Sequence, residues 1–118
     1  MVETLKNRTP IARKKHICAF CGCEIGIGEK YNRQTNVYDD DVYDWITHIK
    51  CEKIAYKLNM YEKESDSDEG LSGENFREYI GEYVHENHYD SNINDIAVDW
   101  DLEGIDLINK IYDEILNK

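Results

Sequence analysis

Two short stretches, Cys18-Ala19-Phe20-Cys21-Gly22-Cys23 and His48-Ile49-Lys50-Cys51, hold all four cysteines of the chain, with 26 residues between Cys21 and His48. Zinc prefers thiolate and imidazole ligands, four to an ion in a tetrahedron. A C-x-x-C turn can point two sulfurs at one centre, and Gly22 suits the tight turn that follows. Cys51, Ile54, Ala55 and Leu58 recur at i, i+3, i+4 and i+7, which predicts an amphipathic helix from Ile49 to about Tyr61. His48 stands at the start of that helix and Cys51 one turn on, so both can face the same ion. A helix N-terminus also favours thiolate. The expected ligands are Cys18, Cys21, His48 and Cys51. Cys23 is an alternative ligand, because the C-x-x-C and C-x-C turns overlap, or else a free thiol packed near the turn.

Clustered cysteines favour metal ligation over a disulfide framework, which spreads its cysteines through the chain. The first residues, Met1-Val2-Glu3-Thr4-Leu5, lack the apolar core of a signal peptide, and no apolar run approaches 18 residues. A reducing, cytoplasmic setting is the expectation.

Between the ligand pairs, Tyr31, Arg33, Thr35 and Val37 alternate with Asn32, Gln34 and Asn36, and Val42–Thr47 reads as a returning strand. A β-hairpin over residues 30–47 with Asp39-Asp40-Asp41 as its turn is expected. A cysteine turn, a hairpin and a helix bearing the second ligand pair describe a treble-clef zinc finger. The stretch Cys18-Ala19-Phe20-Cys21-Gly22-Cys23-Glu24-Ile25-Gly26-Ile27-Gly28-Glu29-Lys30-Tyr31 resembles the start of many such fingers, C-x-x-C-G-x-x-I-x-x-G-E-x-Y. The Cys3His order resembles the finger of the poly(ADP-ribose) polymerase type and small uncharacterised fingers of bacteriophages and bacterial mobile elements. The resemblance covers residues 16–62. It implies a structural zinc on Cys18, Cys21, His48 and Cys51, and a phage or mobile-element origin. Polymerase-type fingers bind DNA breaks. The Asp39-Asp40-Asp41 turn and the acidic second half depart from that pattern, and the activity is not carried over.

The 118 residues suit one small domain with an appendage. The net charge of -11 is unevenly spread: residues 1–62 carry 10 Lys/Arg and 9 Asp/Glu, residues 63–118 carry 4 and 16. Such a chain does not simply coat nucleic acid, which requires net cationic surface. Residues 1–15 are polar and basic and read as a flexible arm. Residues 63–73 read as an acidic linker. In residues 74–118, Phe76, Tyr79, Ile80, Tyr83 and Val84 predict a helix over 74–87, and Ile105, Ile108, Ile111, Tyr112 and Ile115 predict another over 103–117. Between them Ile93, Ile96, Ala97 and Trp100 fit a helix, while Ile96, Val98 and Trp100 also alternate as a strand. The expected fold class is α+β, a zinc-bound finger followed by a small acidic helical region.

A closed shell of four protein ligands leaves no position for a reacting water. A deaminase would need a Glu after its His ligand, and an HNH-type nuclease a further His and an orienting Asn; His48-Ile49-Lys50 offers neither. The expected role is a non-enzymatic zinc-binding module that docks a protein partner through its acidic half. Asp95, Asp99, Asp101, Glu103 and Asp106 are the docking candidates, or else solvated helix faces or a mimic of DNA phosphates. The rival role is nucleic-acid binding by Arg13, Lys14, Lys15 and Arg33. A small hydrolase or nuclease is the third. His85 and His88, with Glu82 or Asp90, could form a second metal site or simply suit a helix C-terminus. Tyr79, Tyr83 and Tyr112 are expected in the core. Trp45 is expected to pack the hairpin on the ligand helix, and Trp100 to join the C-terminal helices.

Overall fold

The computed structural model describes residues 3–65 and 70–116. Asp66, Ser67, Asp68 and Glu69, the middle of the expected acidic linker, lie outside the described residues. The described residues form an α+β fold with small antiparallel sheets and four α-helices.

The hairpin forms as β4 (Asn32–Tyr38) and β5 (Asp41–Thr47). Tyr38 pairs with Asp41, so the loop has two residues, and Asp39 and Asp40 both adopt positive φ, 52° and 67°. That is the geometry in which a two-residue turn matches strand twist, and Asp tolerates it better than most non-glycine residues.

A strand precedes the hairpin. β1 (Glu3–Arg8) pairs antiparallel with β4, giving the order β1-β4-β5. The flexible arm expected over residues 1–15 is thus corrected across the described part of it. Its second half is held too: Tyr31 N–H donates to the Pro10 carbonyl, Ala12 N–H to Glu29, and Gly28 N–H to Ala12. Main-chain pairing of this kind needs no side-chain pattern, so a polar segment can be recruited to a sheet edge by tertiary context alone.

β2 (His16–Ile17) and β3 (Glu24–Ile25) flank the cysteine turn. After the hairpin, α1 spans Ile49–Lys57 and buries Cys51, Ile54 and Ala55. It stops short of the predicted Tyr61. Leu58 caps it, Asn59 takes the left-handed conformation with φ 58°, and the short α2 (Met60–Lys63) follows. Asn is one of the few residues that visit this region routinely.

α3 (Gly73–His88) starts at Ser72, whose hydroxyl accepts from Asn75 N–H, an N-cap worth about 1 kcal/mol. The ambiguous segment after it is largely neither helix nor long strand: β6 (Tyr89–Asp90) pairs with β7 (Asp95–Ile96), and a 3-10 turn covers Val98–Trp100. Ile93, one of the supposed stripe residues, is exposed. α4 (Gly104–Leu116) completes the described chain.

The core joins the two halves. Phe20 from the cysteine turn stacks on Phe76 of α3, and α4 packs on α1. Phe20, Ile25, Ile54, Met60, Phe76 and Ile111 are fully buried together. Trp45 meets Phe20 edge-on rather than merely bridging hairpin and helix. Tyr79, Tyr83 and Tyr112 are half-buried, not core. The Tyr79 and Tyr83 hydroxyls donate to Glu64 and Glu114, which keeps the polar end of each ring satisfied at the surface. No helix among the described residues is long and apolar enough to cross a membrane.

Candidate metal centre

Cys18, Cys21, His48 and Cys51 come together, their ligand atoms all within 4.8 Å of one another. They lie close enough to hold a metal ion. Local backbone chemistry positions the first pair. Gly22 N–H donates to Cys18 O and Cys18 N–H to Cys23 O, both 2.9 Å, closing a tight turn that Gly22 completes at φ 76°. Ala19 N–H donates to Ile46 O at 2.8 Å, which fixes the turn against β5. The second pair comes from the strand-to-helix junction. His48 is the N-cap residue of α1 with extended backbone, and Cys51 sits in the first turn.

His48 is oriented by both ring nitrogens. Nδ1 lies 3.3 Å from Cys21 Sγ and 3.9 Å from Cys51 Sγ, while Nε2 lies 3.2 Å from the Glu24 carbonyl. With Nδ1 turned to the sulfurs, Nε2–H donates to that carbonyl. Such a second contact holds a ligating imidazole in one tautomer. The main-chain N–H of His48 also donates to Cys18 Sγ at 3.3 Å, and an N–H aimed at sulfur favours thiolate.

Cys18, His48 and Cys51 compete for protons. Hydrogen bonds from Cys21 and Cys51 hold the Cys18 thiol far below its ordinary range. Hydrogen bonding to Cys18 and Cys21, together with burial, pushes Cys51 far up. Hydrogen bonds to Cys18 and Cys21 push the His48 imidazole up to about 10. A divalent ion held there would resolve this competition by displacing protons, which couples metal binding to pH and to folding.

Cys23 is outside the cluster. Its sulfur faces the Cys21 carbonyl at 3.8 Å and the start of α4, where it would lie 3.2 Å from a Cβ on Gly104. Burial, followed by the charge of Cys21, raises its thiol above the ordinary value. The alternative ligand role for Cys23 therefore does not match its position. The second site on His85 and His88 is not assembled either: among the described residues, the four-residue cluster is the only group of three or more Cys, His, Asp or Glu placed so that it could hold a metal ion. His88 stacks on Trp100 with ring centroids 3.6 Å apart and meets Glu114 at 3.0 Å, whereas His85 packs on Tyr89.

Of the cations expected to contact nucleic acid, Arg13, Lys14 and Arg33 line one open groove, and Lys15 instead pairs with Glu24 at 3.6 Å. Arg33 is engaged by Asp44, its Nε donating to Oδ2 at 3.0 Å. Lys30, His16 and Tyr31 share the groove and were not singled out by sequence. They arrive there through the main-chain pairing of residues 10–12 with 28–31, for which the sequence carries no periodic signal. Asp95, Asp99, Asp101, Glu103 and Asp106 are all exposed, with Asp99 3.8 Å from Lys110. Set against protein-family models, curated proteins and solved structures, the chain gives no match.

Proposed function

We propose that the Cys3His cluster holds one structural zinc ion in a treble-clef finger, and that the protein is a non-enzymatic module docking a basic protein partner through the acidic surface of α3, α4 and the segment between them. The four-ligand cluster carries this reading. Zinc bonds of about 2.3 Å to sulfur and 2.0–2.1 Å to nitrogen put those atoms roughly 3.5 Å apart in a tetrahedron. The two sulfur-to-Nδ1 separations, 3.3 and 3.9 Å, straddle that value. Cysteine turn, hairpin and ligand helix follow one another in the treble-clef order. Four protein ligands fill the shell, so the ion's role is to stabilise a frame whose sheet and single ligand helix bury little by themselves.

Docking through the second half is supported by exposed carboxylates at positions 95, 99, 101, 103 and 106. Of these, Glu103 lines an apolar groove of about 250 Å³ between α3 and α4, together with Arg77, Phe76, Ile80, Leu107 and Ile108. An apolar centre with a charged rim is the common anatomy of a protein interface. Native mass spectrometry of the purified protein tests the metal: one zinc per chain is expected, and a metal-free chain that unfolds cooperatively would sink the reading. The triple variant Asp101→Lys, Glu103→Lys, Asp106→Lys tests the docking, because partners captured by the wild type from its host should be lost while the zinc is kept.

A further inference from the structure

We propose that the groove between the N-terminal segment and the start of the hairpin binds single-stranded nucleic acid through its phosphates. The groove is open and holds about 850 Å³. Four cations line it, Arg13, Lys14, Lys30 and Arg33, and no Asp or Glu does. The composition runs the other way, with 25 acidic residues against 14 basic ones. A groove free of carboxylate in such a chain is a local reversal of sign.

Three of the four cations are uncommitted. Among the described residues Arg13, Lys14 and Lys30 have no ion-pair partner. Arg8 adds to the field, since β1 places it directly opposite Arg33 on β4. Like charges paired across strands are unfavourable, and Asp44 is the carboxylate that offsets them. An incoming phosphate would meet cations held by main-chain bonds, because residues 10–12 are tied to residues 28–31. The ordering cost of a loose arm is therefore already met within the fold.

The ligand class follows from shape and lining. The half-buried His16 ring packs on the buried Tyr31 with centroids 4.9 Å apart, so one accessible ring, backed by a core tyrosine, lies among the cations. A cationic groove with an accessible ring is the arrangement that tracks a single strand, with phosphates on the cations and a base on His16. A duplex, wide and rigid, presents its phosphates on a convex cylinder, and would bring many charges near the acidic second half.

The test uses the zinc-loaded full chain and fluorescence anisotropy with labelled ten-residue oligothymidylate, oligouridylate and a duplex of the same length. Both single strands should bind saturably at low salt, and the duplex more weakly. Three phosphate contacts predict a slope of log affinity against log salt of about -2 for a single strand. Arg13→Gln, Lys14→Gln, Lys30→Gln together should weaken binding at least tenfold with zinc content and circular dichroism unchanged. Asp44→Asn, which frees Arg33, should tighten it. His16→Ala should weaken oligothymidylate binding about fivefold or more and leave the binding of inorganic polyphosphate unchanged. Absence of saturable single-strand binding at low salt, binding undiminished in the triple variant, or duplex bound as tightly as single strand would overturn the proposal. So would polyphosphate competing as well as oligothymidylate at equal charge.

Discussion

Replacing Phe20 by Ala probes the joint between the cysteine turn and the second half of the chain. Phe20 is fully buried; its ring stacks on Phe76 at 4.6 Å and 13°, and meets Trp45 at 5.5 Å and Tyr61 at 6.3 Å edge-on. Deleting a buried Phe side chain costs about 3–5 kcal/mol. Each aromatic pair adds about 0.5–1.5 kcal/mol beyond area, and three of them place this site near the top of the range. Unfolding entropy of about 2.1 cal/mol/K per residue over 118 residues makes 1 kcal/mol equal to about 4 °C of Tm. Phe20→Ala should therefore lower the Tm of the metal-loaded protein by about 16–20 °C in a circular dichroism melt. Phe20→Leu keeps most of the volume and loses the stacking, so a drop of about 4–8 °C is expected. If Phe20→Ala melts within about 4 °C of the wild type, or Phe20→Leu is equally damaging, the aromatic bridge is not what joins the halves.

Two glycines should respond with opposite sign. A Cβ on Gly73 would lie 2.1 Å from the Ala19 carbonyl oxygen, so Gly73→Ala should destabilise by at least about 1–3 kcal/mol; Gly81, inside α3 with open space around it, should gain about 0.5–1 kcal/mol as Ala in the same urea titration. Cys23→Ser should keep one metal ion per chain by elemental analysis, whereas Cys51→Ser should lose stoichiometric metal and cooperative unfolding together. Asp44 accepts hydrogen bonds from Arg33 and Thr35, which hold its carboxyl below the ordinary value. A depressed folded value means that this contribution is present above the unfolded value and is lost as pH falls through the folded one. Exposure of both partners keeps it under about 1 kcal/mol. Carboxyl NMR titration should show Asp44 titrating low, and returning towards the ordinary value in Arg33→Ala.

The metal cluster was legible because it rests on spacing. Two residues between Cys18 and Cys21, and two between His48 and Cys51, fix which side chains can converge whatever lies between. The hairpin, α3 and α4 were legible because period-2 and period-3.6 patterns are written in side chains. What escaped was settled by backbone or by tertiary contact. β1 pairs through main-chain groups and has no apolar alternation to announce it. The break at Asn59 depends on one residue's tolerance of positive φ within an unbroken apolar stripe. Around Ile96 and Trp100 two patterns overlapped, and the contacts of Trp100 with His88 and Lys110 won over either regular element. The side chains of the cationic groove lie on segments distant in sequence, and the pairing of residues 10–12 with 28–31 makes them neighbours.

The seating of Gly73 against Ala19, and of Gly104 against the Cys23 sulfur, has a temporal consequence. All four ligands exist once Cys51 is synthesised, but the helices that close over the cysteine turn do not. At about 5–20 residues per second, the 65 residues from 52 to 116, the end of α4, take about 3–13 s to emerge. During that interval the nascent cluster would be open to ions of the cell's labile pool. Afterwards α3 and α4 pack against the cysteine turn at Ala19 and Cys23, and an ion held there would be slower to leave. Any ion loaded during translation would then be taken up under kinetic control, chosen by which metal is at hand as the chain grows.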